Sequence, residues 1–289
     1  MNGILNIYKP TGITSFDVVR IVRKISNVKK VGHAGTLDPE ASGVLPVCIG
    51  KATKAIDYIM GDFKIYETEL KLGVITDTYD KEGKILKESE VNASEEEIIK
   101  AINSFVGEIK QVPPMYSALK VNGKKLYELA RAGIEIEREA RPIVIYQIDI
   151  REINIPYVRF RVKCSKGTYI RSLCYDIGEL LNCGGMMWNL QRTATGQFHL
   201  EDTINIENLN AENISKHLMP IEKIFQGNTK ITIDDRFINF LLNGVVVKDK
   251  ALVSKFQENI TYSVYNSDNN FIGIADKSSE GIRLIKSFI

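Results

Sequence analysis

The segment Gly32-His33-Ala34-Gly35-Thr36-Leu37-Asp38-Pro39-Glu40-Ala41-Ser42-Gly43-Val44-Leu45 constrains this chain more than any other stretch. Glycines stand on both sides of Asp38, a proline follows it, and a histidine precedes it by five positions. Such spacing interrupts both a long helix and a strand, so the segment is a connection that presents side chains. One reading makes Asp38 an N-cap, Pro39 the first helical residue and Gly43 the stop of a one-turn helix. The other makes Asp38 a functional carboxylate in a loop whose glycines allow a sharp turn or close approach of a ligand. The glycine density favours a site.

The 289 residues suffice for one large domain, or a large one plus a small one, with a substantial core. Net charge is only +2, but it is unevenly spread. Arg20, Arg23, Lys24, Lys29 and Lys30 gather at the first predicted helix, and Arg159, Arg161, Lys163, Lys166 and Arg171 form a second basic run. Residues 201–289 hold slightly more acids than bases. Basic strips on a near-neutral chain fit RNA and equally fit solvated faces. Cys48, Cys164, Cys174 and Cys183 form no Cys-x-x-Cys pair, and the three histidines are dispersed, so reduced thiols and no metal are expected. No stretch approaches the roughly 20 apolar residues of a membrane span, and Lys9-Pro10 arrives before any signal-like run. A soluble cytoplasmic chain without membrane contact is expected.

Taken in order, Ile4–Tyr8 reads as a strand, and Thr14 or Ser15 caps a helix with Val18, Val19, Ile21, Val22 and Ile25 at helical spacing. Val44–Ile49 reads as a buried strand and Lys51–Met60 as a helix. Phe63–Leu72 alternates, which on periodicity alone makes Tyr66 a core aromatic beside Leu70 and Leu72. The acidic turn Thr76–Gly83 lacks the acid spacing of a calcium loop. Ser94-Glu95-Glu96-Glu97 is a capping box before Ile98, Ile99, Ile102, Phe105 and Val106. Asn122-Gly123 signals a hairpin, followed by a short helix from Leu126 that Gly133 ends. Strands follow at Ile143–Ile153 and Tyr157–Cys164, the latter with one strongly basic face. A helix then starts near Ile170, with Arg171 in its first turn, where the dipole disfavours a cation by about 0.3–1 kcal/mol. A buried carboxylate would compensate it, as would exposure to water. Residues 231–289 read as a small, mostly β module.

Several chemistries fail against these residues. Gly43 and Gly50-Lys51 do not make a phosphate-binding loop, no Gly-x-Ser-x-Gly elbow supports a serine triad, and Asp38 with Glu40 is a poor glycosidase pair. One carboxylate acting as nucleophile or base, beside an arginine and an aromatic ring, remains.

Five ordered motifs resemble the bacterial tRNA pseudouridine-55 synthases of the TruB type. They are Lys9-Pro10 with Gly12, Thr14 and Ser15; the Asp38 segment; Lys64-x-Tyr66 leading to Leu72-Gly73; Pro113-Pro114-x-Tyr116-Ser117-Ala118-x-Lys120; and Cys164-Ser165-x-Gly167-Thr168-Tyr169-Ile170-Arg171. The resemblance is close over residues 3–198 and looser beyond. It implies an α/β (α+β) fold: a mixed, mainly antiparallel sheet with flanking helices over residues 1–228, and a β-rich, PUA-like RNA-binding domain over 229–289. It also implies a cofactor-free, metal-free isomerisation of the T-loop uridine of tRNA by a monomer. Asp38 matches the nucleophile, Tyr66 the residue stacking on the target base, Arg171 the partner of the aspartate, and His33 the histidine that holds the T loop with its uridine turned out. Lys9, Tyr116, Lys120 and Tyr169 match residues of the pocket wall or RNA groove. Gly184-Gly185-Met186-Met187-Trp188 and Gln191-Arg192 depart from the family pattern, which there shows a Gly-Ala-His-Leu-like run and paired arginines. Alternatives of other classes are an RNA-folding chaperone of the T arm and a carboxylate hydrolase of another nucleoside.

Overall fold

The computed structural model describes residues 1–289 except Asp62 and Asn122. Asn122 of the expected hairpin turn therefore lies outside the described residues, while the flanking strands Lys120–Val121 and Lys124–Lys125 pair with each other.

A ten-stranded, mainly antiparallel sheet carries the molecule. Its order runs Ile204–Asn205, Gly3–Lys9, Ser42–Ile49, Gly185–Thr195, Lys64–Leu72, Tyr157–Cys164, Arg141–Asn154, Gly107–Gln111; Val31–His33 and Phe198–His199 pair at the side of this path. The Ser42–Ile49 strand is buried along its whole length because both of its faces are covered. Leu45, Val47 and Ile49 face Val18, Val19 and Val22 of the helix Ser15–Ser26. Val44 and Cys48 point the other way, into a cluster with Ile4, Phe225, Ile274 and Phe288. Helices Glu95–Asn103 and Ile170–Leu180 join the first core through Ile98, Ile102, Leu173, Cys174 and Ile177.

Both expected caps form. Thr14 accepts from Asp17 N while Asp17 accepts from Thr14 N, and Ser94 and Glu97 do the same. Ile99 and Val106, expected in the core, are exposed at 40% and 44%. The Lys51–Met60 helix is a 3-10 turn, Gly50–Ala55, followed by one α-helical turn, Ile56–Met60.

The basic face expected on Tyr157–Cys164 is partly neutralised by its neighbours, while Lys163 lies over the Phe63 ring, 4.3 Å from its centroid. Arg159 pairs with Glu69 at 2.6 Å and with Glu152 at 3.4 Å, and Arg161 faces Glu67 at 3.9 Å. These acids sit in cross-strand register on Lys64–Leu72 and Arg141–Asn154, a pairing invisible to a count along one strand.

Beyond residue 228, a four-stranded sheet forms from Thr229–Thr232, Tyr262–Tyr265, Phe271–Ser278 and Gly281–Ser287. Two helices, Asp235–Leu242 and Lys250–Val253, supplement the expected strands. Ile238, Leu241, Val264, Ile272 and Ile282 give this part its own core. Phe288 and Ile274 nonetheless pack into the cluster under the large sheet, and Lys54 donates to the Ser287 carbonyl at 2.8 Å.

Candidate active site

The Asp38 segment forms no helix. Ala41 N donates to Asp38 O at 3.1 Å, so Pro39-Glu40 occupy the centre of a tight turn leading into Ser42–Ile49. Neighbouring elements hold the carbonyls around this turn. Ser15 Oγ accepts from Leu37 N at 2.9 Å and donates to Leu37 O at 3.0 Å, and Gly12 N donates to Pro39 O at 3.0 Å. Lys9, expected at the pocket wall, is 0% exposed and donates to the carbonyls of Pro10, Ile13 and Pro39 at 2.7–2.9 Å. It fastens the loop from beneath and does not face a groove. Burial pulls its pKa down from 10.5 to about 8, with Glu40 and Asp38 opposing the shift.

Arg192 is the second fastening. It is 1% exposed, and its Nε donates to Val44 O at 2.8 Å, Nη2 to Gly35 O at 3.0 Å and Nη1 to Thr36 O at 3.4 Å. In the sheet, Arg192 is register partner to both Gly43 and Tyr66. A Cβ on Gly43 would lie 2.1 Å from Arg192 O, and its φ is +107°. Glycine there serves close approach of the protein's own backbone.

Asp38 emerges from this rigid base with 40% of its side chain exposed. Arg171 Nε meets Asp38 Oδ2 at 3.1 Å, from a side chain only 7% exposed. The rest of the guanidinium is occupied by Tyr116 O at 2.7 Å, Thr78 O at 3.2 Å and Asp80 Oδ2 at 3.4 Å. A buried cation needs such a complete set of acceptors, and the fork geometry of arginine supplies the matching donors. The compensation expected for a cation at this helix start thus comes from two carboxylates and two carbonyls.

Tyr66 is 8% exposed, on the strand next to Arg192. Burial pushes its phenol pKa up, Arg192 opposes this, and Asp38 adds a smaller upward push. Burial likewise raises Tyr169, where Ser117 and Arg171 oppose the shift and Asp38 contributes at longer range. Burial thus favours the neutral phenol at both rings. The Tyr169 backbone is held by Gln111, which accepts from Tyr169 N at 2.8 Å and donates to Tyr169 O at 3.0 Å. His33 is half-buried on Val31–His33, its pKa lowered by burial and then by Arg192, and its Nδ1 has no hydrogen-bond partner among the described residues. Lys120 is exposed on its short hairpin. A cavity of about 660 Å³ beside Glu97, Ala101, Leu181 and Cys183 involves none of these groups.

Two segments of the chain match family models: the TruB family pseudouridylate synthase N-terminal domain over residues 23–170, and the tRNA pseudouridylate synthase B C-terminal domain over residues 171–226. The chain belongs to the TruB family of pseudouridylate synthases. A relative from Clostridium acetobutylicum named tRNA pseudouridine synthase B is 58% identical over 286 residues, covering 99% of both chains. One of the same name from Clostridium tetani is 56% identical over 290 residues, covering 100% of both. Among solved structures, a Cbf5-Nop10-Gar1 complex matches with TM-score 0.73 and 27% identity over 99% of this chain and 85% of that one. An H/ACA RNP bound to a substrate RNA containing 2'-deoxyuridine matches with TM-score 0.71 and 25% identity, again over 99% and 85%.

The boundary between the two TruB segments falls just before Arg171, so the Asp38–Arg171 pair joins them. Residues 227–289 lie outside both. Sequence reasoning missed Asp80, because its turn was weighed only as a metal loop. The usable signal was an arginine lacking an acid, with a turn, Thr76–Gly83, holding three acids to one lysine. It also missed Arg192, noticed only as half of an absent pair, whose part depends on a register that no local pattern reveals.

Proposed function

We propose that this chain converts uridine 55 in the T loop of tRNA to pseudouridine, as a cytoplasmic monomer, with Asp38 as nucleophile. The observation that carries this reading is the 3.1 Å contact of buried Arg171 with a partly exposed Asp38 carboxylate. The names of the relatives supply the tRNA. In the reaction the N1–C1′ bond breaks, the freed uracil turns, and a C5–C1′ bond forms, while C5 loses one proton and N1 gains one. No external oxidant, reductant or energy source is needed. Asp38 attacks the nucleotide and is released when the new bond closes, a covalent division of one difficult step into easier ones. Arg171 orients the carboxylate toward the nucleotide. Tyr66 offers an aromatic surface to the base, and His33 supports the loop from which it is extruded, an extrusion that costs a few kcal/mol. The four-stranded sheet of residues 229–289 is read as a PUA-like RNA-binding unit, with Lys120 on the RNA side of its hairpin.

The test is incubation of the purified chain with unmodified tRNA and mapping of any pseudouridine. Product at position 55 alone, with single-mass behaviour on sizing, supports the reading. Product elsewhere, or free uracil, overturns it.

A further inference from the structure

The first of the two basic strips in the sequence has a single acid, Asp17, against five bases, whereas three of the five bases in the second, Arg159, Arg161 and Arg171, have carboxylate partners. Phe16, Arg20, Arg23 and Lys24 lie at positions i, i+4, i+7 and i+8 of the helix Ser15–Ser26, a single face, with exposed Lys29 and Lys30 just beyond its end. Asp17 is the sole acid among residues 1–37, and its carboxylate is engaged by the Thr14 cap and by Arg20. An exposed phenylalanine alone signifies nothing. This one, 55% exposed, has the Arg23 guanidinium 5.6 Å and the Arg20 guanidinium 5.8 Å from its ring centroid. Arg23 is tied down by Nη2 donating to Val31 O at 3.1 Å, and Arg20 by its ion pair with Asp17. Ring and guanidiniums thus form a broad, cationic, partly preorganised platform.

The platform is joined to the active loop at both ends. Ser15, next to Phe16, is bonded to both backbone groups of Leu37, the residue before Asp38. Val31, which holds Arg23, begins the strand that ends in His33.

We propose that the Phe16–Arg20–Arg23–Lys24 face binds the substrate RNA beside the Asp38 loop, with an unstacked nucleotide on the Phe16 ring and adjacent phosphates on Arg20 and Lys24. Unstacked bases of folded RNA loops are taken up by aromatic rings and guanidinium planes. The salt-sensitive attraction expected of a TruB chain is then concentrated on this helix. This rests on the tRNA reading above.

The test uses the full-length chain and an unmodified T-arm hairpin transcript, with binding followed as a function of salt. Phe16→Ala should weaken binding about 10-fold, and Phe16→Trp should restore it. The Arg20→Ala, Lys24→Ala double variant should reduce the slope of log affinity against log salt by about two, one per lost phosphate contact, while Lys87→Ala on the exposed strand Ile85–Glu88 leaves it unaltered. Wild-type affinity for Phe16→Ala together with an unchanged slope for the double variant would overturn the proposal and leave the face a solvated one. If the wild-type chain forms no pseudouridine in the hairpin or in tRNA, the underlying reading fails instead, a result that the binding series does not mimic.

Discussion

At the scale of single residues, the site is an exercise in using charge inside protein. Arg171 is buried and meets Asp38 and Asp80 together, so removing it leaves Asp80, itself 16% exposed, without its cation. Arg171→Ala should lower stability by about 3–5 kcal/mol in denaturant unfolding, the usual range for breaking a buried pair. Arg171→Lys keeps the charge but loses the fork that reaches four acceptors. Its turnover should fall by about 100-fold while T-arm affinity stays within about 2-fold, which single-turnover kinetics and a binding titration separate. Lys9 gives a pH prediction of unusual sign. Its pKa falls to about 8 on burial from an ordinary 10.5, so between these values the unfolded chain binds more protons than the folded one. The stability linked to Lys9 therefore rises from pH 8 toward 10.5 and is lost as pH falls through 8. Activity should move the opposite way, because a neutral amine has two donors for the three carbonyls beneath the Asp38 loop. Turnover falling above pH 8 without a matching drop in the Lys9-linked stability, judged against Lys9→Met, is the expected pattern.

At the scale of elements, the seam between Ser42–Ile49 and Gly185–Thr195 sets the loop geometry. Gly43 and Arg192 are in register there, with no room for a Cβ. Gly43→Ala should cost about 3 kcal/mol or more in unfolding and remove activity together with stability, since the clash meets backbone and the φ of +107° strains any other residue. Glycine density around Asp38 was legible in the sequence, but its reason at Gly43 was not, because the approaching chain comes from 149 positions away, Gly43 to Arg192. Periodicity and cap signals revealed the helix Ser15–Ser26, the Ser94 capping box and the alternation that places Tyr66 inward, but not that Thr14 forms a capping box with Asp17. It also placed Arg159, Arg161 and Lys163 on one face of Tyr157–Cys164, but not the acids Glu67, Glu69 and Glu152 on other strands that match the two arginines. Ordered motifs pointed to Asp38, Arg171, Tyr66 and Tyr169 by their succession along the chain. The supports, Asp80, Arg192, Ser15 and Gln111, carry no such signature, because hydrogen bonds to distant carbonyls follow the fold and leave no local pattern.

At the scale of the whole molecule, the boundary expected at residue 228 is a change of sheet and not a break in packing. Phe225, Phe271 and Phe288 meet at ring-centroid distances of 5.3–5.9 Å, in the same cluster as Ile4, Val44 and Cys48 of the large sheet. Phe288→Ala should therefore destabilise the folded chain by about 3–5 kcal/mol. Calorimetry should show the loss in the main transition, whereas an early separate transition confined to residues 229–289 would mean that the two sheets unfold independently. The large sheet, in turn, holds the seam at which Gly43 and Arg192 fix the Asp38 loop. The most direct measurement is position-mapped pseudouridine formation on unmodified tRNA by the wild-type chain and by Asp38→Asn, with tRNA binding followed in parallel. Modification at uridine 55 by the wild type, a loss of more than about 10³-fold in Asp38→Asn and retained binding are the predicted results. Undiminished pseudouridine formation by Asp38→Asn would contradict the account.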